Sequence, residues 1–296
     1  MAVDHIKKVS SYDRLFDQAQ THQYNLSIRL NPDGLSFAVY SNPHKRYIAI
    51  ESVSFPEKFA SSAGALATTI YLDHIAKTID EKSWLISEFK NRVIIYNTKV
   101  YTLVPEPLFN PEGKDSYLSF VHKTGPDEVI LDSKLEAIDS RIIFGINKNI
   151  FTELNAWFSN ARLMHHAGAM LESVVPVFKH VEPENPVFIN INKKHMDIIA
   201  LRDNTLSFVN TFEWRTGTDI VYYTLFVLDQ LSLNPGKTHV FLCGDIDEGD
   251  ENHQLITRYI RNTDFLSRNE SYTRGYALEL ISTHKYFDLL NPALCE

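Results

Sequence analysis

The sequence predicts an α/β protein of two lobes, each built on a mixed sheet that opens in a three-stranded antiparallel meander. Two observations carry this prediction. First, one pattern occurs twice: short apolar strands on tight turns at Leu26 to Leu30, Leu35 to Tyr40 and Tyr47 to Val53, and again at Val187 to Ile191, Met196 to Leu201 and Leu206 to Phe212. Each trio is followed by a helical pattern and a further strand, so one unit is used twice, and a ligand site is expected in the cleft between copies. Second, Val181 to Pro186 reads Val-Glu-Pro-Glu-Asn-Pro, the most linker-like stretch of the chain. It divides a first lobe at 1–180 from a second at 181–296.

The elements follow in order. Residues 10–19, with Leu15 and Phe16 among Asp13, Arg14, Asp17 and Gln18, read as a short amphipathic helix or an extended arm. In the first hairpin Leu26, Ile28 and Leu30 alternate with Ser27 and Arg29. Asn31-Pro32-Asp33-Gly34 then supplies a turn in which proline fixes one φ and glycine accepts a positive one. A second turn at Asn42 to Lys45 leads into Tyr47, Ile48 and Ile50. Ser61 to Ile79 is the covering helix, and Lys82 to Lys90 a shorter one. Strands follow at Arg92 to Tyr96 and Tyr101 to Val104, the second ended by Pro105 and Pro107.

The stretch from about 100 to 165 is an inserted subdomain of the first lobe. It carries a small helix near Ser116 to His122, strands at Glu128 to Asp132 and Arg141 to Ile146, and a helix at Lys148 to Phe158. Arg162 to His165 and a helix at Ala167 to Val175, stopped by Pro176, complete the first half. In the second half, Asn192 to His195 and Arg202 to Asn204 are the meander turns. Thr216 to Asp219 caps a helix running to Leu231, Thr238 to Cys243 is a strand ending at Gly244-Asp245, and His253 to Arg261 is a helix. The tail from Tyr276 to Leu290 reads as a strand and a short terminal helix.

Composition narrows the function classes. With 296 residues, 44% of them hydrophobic, the chain can bury one large or two modest cores. A formal charge of −8 disfavours nucleic acid or an anionic membrane surface as the main partner. Cys243 and Cys295 have neither metal-ligand spacing nor a disulfide framework, which fits a reducing compartment. The N-terminus shows no apolar signal region, and the longest apolar run, Ile220 to Leu228, falls far short of the ~20 residues that span a bilayer. A cytoplasmic location without membrane insertion is expected, so the triplets at Asn25 and Asn269 carry no glycosylation signal.

Two copies of a meander followed by helix, strand and helix resemble the actin-like ATPase (ribonuclease H-like) fold, the superfamily of sugar kinases, heat-shock ATPases and pilus and secretion platform proteins. Leu26-Ser27-Ile28-Arg29-Leu30 with Leu35-Ser36-Phe37, the strand end Phe241-Leu242-Cys243-Gly244, and the ending His284 to Leu290 with Cys295-Glu296 resemble, more closely, a Bacteroidota family of unknown function with that fold. The resemblance covers nearly the whole chain. It implies where a nucleotide site would be: a first hairpin turn with a carboxylate and glycines, a second with an acid and glycines, and a glycine-rich adenosine turn.

The corresponding positions here are Asn31, Asp33 and Gly34, then Lys193 and Lys194, then Gly244 and Asp245. Each departs from that chemistry. Pro32 removes a backbone donor from the first turn, Asn192-Lys193-Lys194-His195 has no acid or glycine, and Gly244 to Glu251 is strongly acidic where phosphates would approach. The expectation is a degenerate, non-hydrolysing interaction or scaffold protein without a cofactor, catalytic residue or metal, which binds a protein partner or itself. Tyr286 and Phe287 are candidates for an exposed apolar patch. The alternative is an ATPase or kinase using ATP and magnesium, with Asp33 and Asp245 around the metal and Lys193 or Lys194 on phosphate.

Other motifs carry less. Pro235-Gly236-Lys237-Thr238 ends like a P-loop but has Leu231 where the first glycine belongs. Asp245 to Ile256 has glycine at the fifth place of a calcium loop and no acid at the twelfth, so it reads as a solvated acidic loop before a helix. His165-His166 has no further ligand at metal spacing and reads as packing or surface.

Overall fold

The computed structural model describes residues 6–55, 65–179, 183–267, 273–275, 278–279 and 281–291. Strand β1 (Ile6–Tyr12) pairs antiparallel with β4 (Arg46–Ser54), and a 3-10 turn, Gln18–Gln23, follows behind an Asp17 cap. The segment read as a short helix or an arm is thus extended in its first part, because the free edge of β4 offers it backbone partners.

The first meander forms as its alternation predicts. β2 (Tyr24–Asn31) runs antiparallel to β3 (Gly34–Ser41) with Asn31 opposite Gly34, which leaves Pro32 and Asp33 as the turn's two central residues. The expected positive φ at Gly34 is not found; among the described residues the positive-φ glycines are Gly244 and Gly249. Glycine is required at position 34 for another reason: a Cβ there would sit 2.2 Å from the Val53 carbonyl oxygen of β4.

Helix α1 (Ala65–Glu81) covers this sheet through Ile75 and Ile79. The helix expected at 82–90 is a single 3-10 turn, Ser83–Ile86, which drives Trp84 and Leu85 into the core. Trp84 meets Phe37 at 5.4 Å and Phe16 at 4.8 Å between ring centroids, both edge-on. β5 (Asn91–Tyr96) then runs parallel to β2.

Three strands, β6 (Tyr101–Pro105), β7 (Glu128–Leu135) and β8 (Ser140–Asn147), make a separate antiparallel sheet in the order β6-β8-β7. Helix α2 (Lys114–Val121) closes a small core of Val104, Leu118 and Ile143. Arg141 ties its edge together through Glu106 at 3.0 Å, Asp132 at 2.7 Å and the Phe109 ring at 4.6 Å. Helix α3 (Lys148–Trp157), capped by Asn147, returns Ile150 and Leu154 to the first core. β9 (Arg162–His165) then pairs parallel with β5.

Helix α4 (His166–Phe178) runs through Pro176 instead of stopping before it. A proline in the last turn removes only one intrahelical donor. Phe178, two residues on, is held 4.8 Å from both Phe188 and Phe241, which keeps that turn in place.

The second meander is β10 (Val187–Ile191), β11 (His195–Arg202) and β12 (Thr205–Glu213). Its distal turn has Asp203 and Asn204 at φ 49° and 63°, the signature of a hairpin turn that follows strand twist. Helix α5 (Gly217–Gln230) opens on Asp219, whose carboxylate accepts the N–H groups of Arg215 and Thr216, both at 2.9 Å. These two bonds hold the Asp219 carboxyl below its ordinary range. β13 (His239–Gly244), α6 (Glu251–Tyr259) and β14 (Asn262–Phe265) complete the sheet in the order β12-β11-β10-β13-β14, β13 being parallel to both neighbours.

The strand expected within 276–290 is not found among the described residues there. A two-residue β15 (Thr273–Arg274) pairs with β4, and the terminal helix is one 3-10 turn, Thr283–Tyr286. Ser61 and Ser62, Val181, and Cys295 lie outside the described residues.

The described residues fall into two units, one within Met1–Ala169, Glu270–Ile281 and Leu289–Glu296, the other within Met170–Asn269 and Ser282–Asp288. The strand path β4-β3-β2-β5-β9 of the first matches β12-β11-β10-β13-β14 of the second in order and direction.

Candidate functional site

In sheets of this kind the C-terminal ends of parallel strands are where backbone and side chains become free to meet a ligand. In the first unit these are the ends of β2 and β5. Asn31 accepts a 3.1 Å bond at its Oδ1 from Asn97, whose backbone N–H donates to the Leu30 carbonyl at 3.0 Å. The Asp33 carbonyl accepts from Phe55 N–H at 2.8 Å, and Pro32 has no N–H to offer.

Asp33 lies near the Tyr71 phenol, and Tyr96 neighbours Tyr71 in turn. The Tyr71 hydroxyl is raised well above its ordinary pKa, first by burial and then by neighbouring Tyr96 and Asp33. Tyr96 itself is pushed up to about 12 by burial and the nearby Glu128. Both phenols therefore stay protonated as donors through the neutral range. Gly34 is buried under the β4 backbone and presents nothing outward.

In the second unit the register Ile191 to Gly244 sets the Lys193-Lys194 hairpin and Gly244-Asp245 on neighbouring strand ends. The hairpin is a second two-residue turn: Asn192 N–H donates to the His195 carbonyl at 2.9 Å, and the Trp214 indole donates to the Asn192 carbonyl at 2.8 Å. Lys193 is half-buried and Lys194 exposed. Gly244 has φ 87°, and a Cβ there would fall 2.1 Å from the Ile191 carbonyl oxygen. Exposed Asp245 donates its N–H to that same oxygen at 2.6 Å.

The acidic loop beyond is helix-capping structure. Asp250 accepts from His253 N–H at 2.7 Å at the start of α6, and Asp247 pairs with Lys285 at 2.5 Å. This agrees with its reading as an acidic loop ahead of a helix N-terminus.

Beneath each turn runs a polar row that sequence reasoning missed. Asp197, fully buried on β11, accepts from Thr211 at 2.6 Å and from Asn190 at 3.0 Å. At the matching register of the first unit, Ser36 donates to Ser52 at 2.9 Å. Asp197 had a signal: a lone acid inside the run Met196 to Leu201 that is otherwise apolar.

His165 is buried with both ring nitrogens used. Nδ1 accepts Ala167 N–H at 3.1 Å and Nε2 lies 2.8 Å from the Thr98 carbonyl. Only a neutral ring carrying its proton on Nε2 satisfies both contacts. Tyr286 and Phe287 are buried at the tail, so they form no exposed patch; the exposed large apolar side chains include Phe120, Leu108, Tyr222 and Phe226.

The sequence matches the family model described as protein of unknown function (DUF3822) over residues 13–263. The chain belongs to the DUF3822 family. No curated protein matches its sequence. Among solved structures, the DUF3822 chain is similar to a Bacteroides thetaiotaomicron protein described as having an actin-like ATPase fold and unknown function. That likeness has TM-score 0.72 at 22% identity and covers 85% of this chain and 94% of the other. It is also similar to a chain of a PilM-PilN type IV pilus biogenesis complex, with TM-score 0.59 at 11% identity, covering 90% of this chain and 96% of that one. The DUF3822 chain thus has the actin-like ATPase fold, in which each five-stranded path described above is one repeat. No helix among the described residues is long and apolar enough to cross a membrane.

Proposed function

We propose that this DUF3822 protein is a non-hydrolysing interaction module, an actin-like frame that holds a protein partner or a second copy without turning over nucleotide. The observation that carries the reading is the state of the two hairpin turns. Both are tight two-residue turns, Pro32-Asp33 and Lys193-Lys194, whose flanking N–H and carbonyl groups close on the protein itself. A phosphate-binding turn needs successive free N–H groups aimed at the anion. Pro32 removes one such donor, and the bond from Asn192 to His195 commits another. Binding of a protein is in keeping with the similar PilM-PilN structure, which is a complex of two proteins.

The test is titration of the purified protein with ATP and ADP, with and without magnesium, by thermal shift and calorimetry. No stabilisation is expected up to several millimolar nucleotide. Magnesium-dependent stabilisation corresponding to micromolar binding would overturn the proposal and restore the ATPase or kinase reading, with Asp33 and Lys193 as the first residues to replace.

A further inference from the structure

A pocket of about 580 Å³ opens in the first unit at the starts of β5 and β9, the opposite ends of the sheet from the Asn31 turn. Its volume is that of a small-molecule site. Its charge runs against that of the chain: Lys90, Arg92 and Arg162 line it with Glu88 as the one acid, in a protein whose formal charge is −8. Among the described residues none of these four groups forms an ion pair.

Arg92 is the unusual member. It is half-buried between the rings of Phe89 and Phe158, at 5.4 and 5.5 Å, and donates to the carbonyls of Ser87 at 2.5 Å and of Leu85 and Ser159 at 3.4 Å. Its buried Nε has no acceptor. Carbonyl dipoles orient the guanidinium but leave its full charge uncompensated, and burial pulls its pKa down. A half-buried cation without a carboxylate is costly unless an anion is supplied. The two sides of the pocket are fixed: Lys90 N–H bonds the Tyr24 carbonyl at 2.9 Å, and Asn160, at φ 63°, turns the chain sharply into β9.

We infer that this pocket binds a small multivalent oxyanion of the phosphate class, Arg92 supplying fixed charge from within and exposed Lys90 and Arg162 closing on the anion from the rim. A divalent anion matches the excess of three cations over one acid. The site shares no residue with the hairpin turns, so it stands or falls independently of the proposed function.

The probe is pyrophosphate, titrated calorimetrically into wild-type protein and into variants whose fold is checked by circular dichroism. Saturable binding is expected that weakens as salt is raised. Lys90→Ala with Arg162→Ala should weaken it about tenfold or more, the effect of losing charge-assisted contacts. Glu88→Gln should tighten it by about threefold, since it removes the opposing charge without touching the fold. Lys193→Ala with Lys194→Ala should leave it unchanged. Absence of saturable binding, equal binding by the Lys90 and Arg162 variant, or loss in the Lys193 and Lys194 variant would overturn the inference.

Discussion

Three glycine-to-alanine substitutions separate what the fold asks of Gly244 from what a nucleotide would. Gly244 combines φ 87° with a Cβ position 2.1 Å from the Ile191 carbonyl oxygen and 2.7 Å from Asn190 Oδ1. Gly249 has φ 79° with nothing within 4 Å, so it reports the backbone effect alone. Gly34 is free of positive φ but would set its Cβ 2.2 Å from the Val53 oxygen, so it reports the collision alone. A left-handed alanine costs about 1–2 kcal/mol. Forcing apart packed strands costs about 1–3 kcal/mol, and losing the Asp245 N–H bond to Ile191 about another 1 kcal/mol. The expected destabilisations are about 1–2 kcal/mol for Gly249→Ala, about 1–3 for Gly34→Ala and about 3–6 for Gly244→Ala. Urea unfolding followed by tryptophan fluorescence measures all three, as shifts in midpoint at constant slope. A Gly244→Ala protein within about 1 kcal/mol of wild type, or no more affected than Gly249→Ala, would refute the argument. If the order holds, glycine at position 244 is demanded by the β10 and β13 backbones with no ligand present.

Two further outcomes follow from buried polar groups. Glu51, at 1% exposure, is paired with Lys82 at 2.9 Å and accepts from Tyr12 at 2.7 Å and Ser10 at 3.1 Å; Lys82→Ala should destabilise by about 3–5 kcal/mol, and combination with Glu51→Gln should recover part of that loss in a double-mutant cycle by urea unfolding. The His284 imidazole is held below its ordinary 6.5, first by burial and secondarily by Lys285, against the opposing bond to the Ile246 carbonyl. Because the unfolded chain then binds the proton more tightly, this contribution is complete above pH 6.5 and lost as pH falls through the lowered folded value. Thermal unfolding across that window should show a stability slope that His284→Gln flattens.

Local chemistry made the hairpins legible. Leu26, Ile28 and Leu30 alternate, Asn31-Pro32-Asp33-Gly34 can only turn, and Asp219 sits three residues after Thr216 where a helix begins. The edges were not legible because their structure is imposed from outside. β14 is three half-buried residues and one exposed one, Asn-Thr-Asp-Phe with Asp264 exposed, and has no strand signal of its own; it exists because β13 presents an unpaired edge in parallel register. β1 and β15 are extended for the same reason along β4. Gly34 reads as a turn glycine, and only the third strand reveals that its constraint is a neighbouring carbonyl. The candidate turns rest on the resemblance to the actin-like ATPase fold, which locates strand ends well and says nothing of whether their N–H groups are already used.

That distinction bears on how far fold likeness reaches. The two repeats align position by position at the strand ends: Asn97 N–H donates to Leu30 as Asp245 N–H donates to Ile191, and Asn31 opens one turn as Asn192 opens the other. The shared bonds are made by backbone, so they hold whatever side chains stand there. Those side chains have gone separate ways: Arg29, Ser36 and Ser52 in one copy stand where Asn190, Asp197 and Thr211 stand in the other. An actin-like frame therefore persists on hydrogen bonds that are blind to phosphate chemistry, and membership of the fold is no argument for the reaction. Whether nucleotide binds is decided at Pro32, Asp33, Lys193 and Lys194, where side chains and free donors matter, and the proposal of a non-hydrolysing frame stands or falls on those four residues.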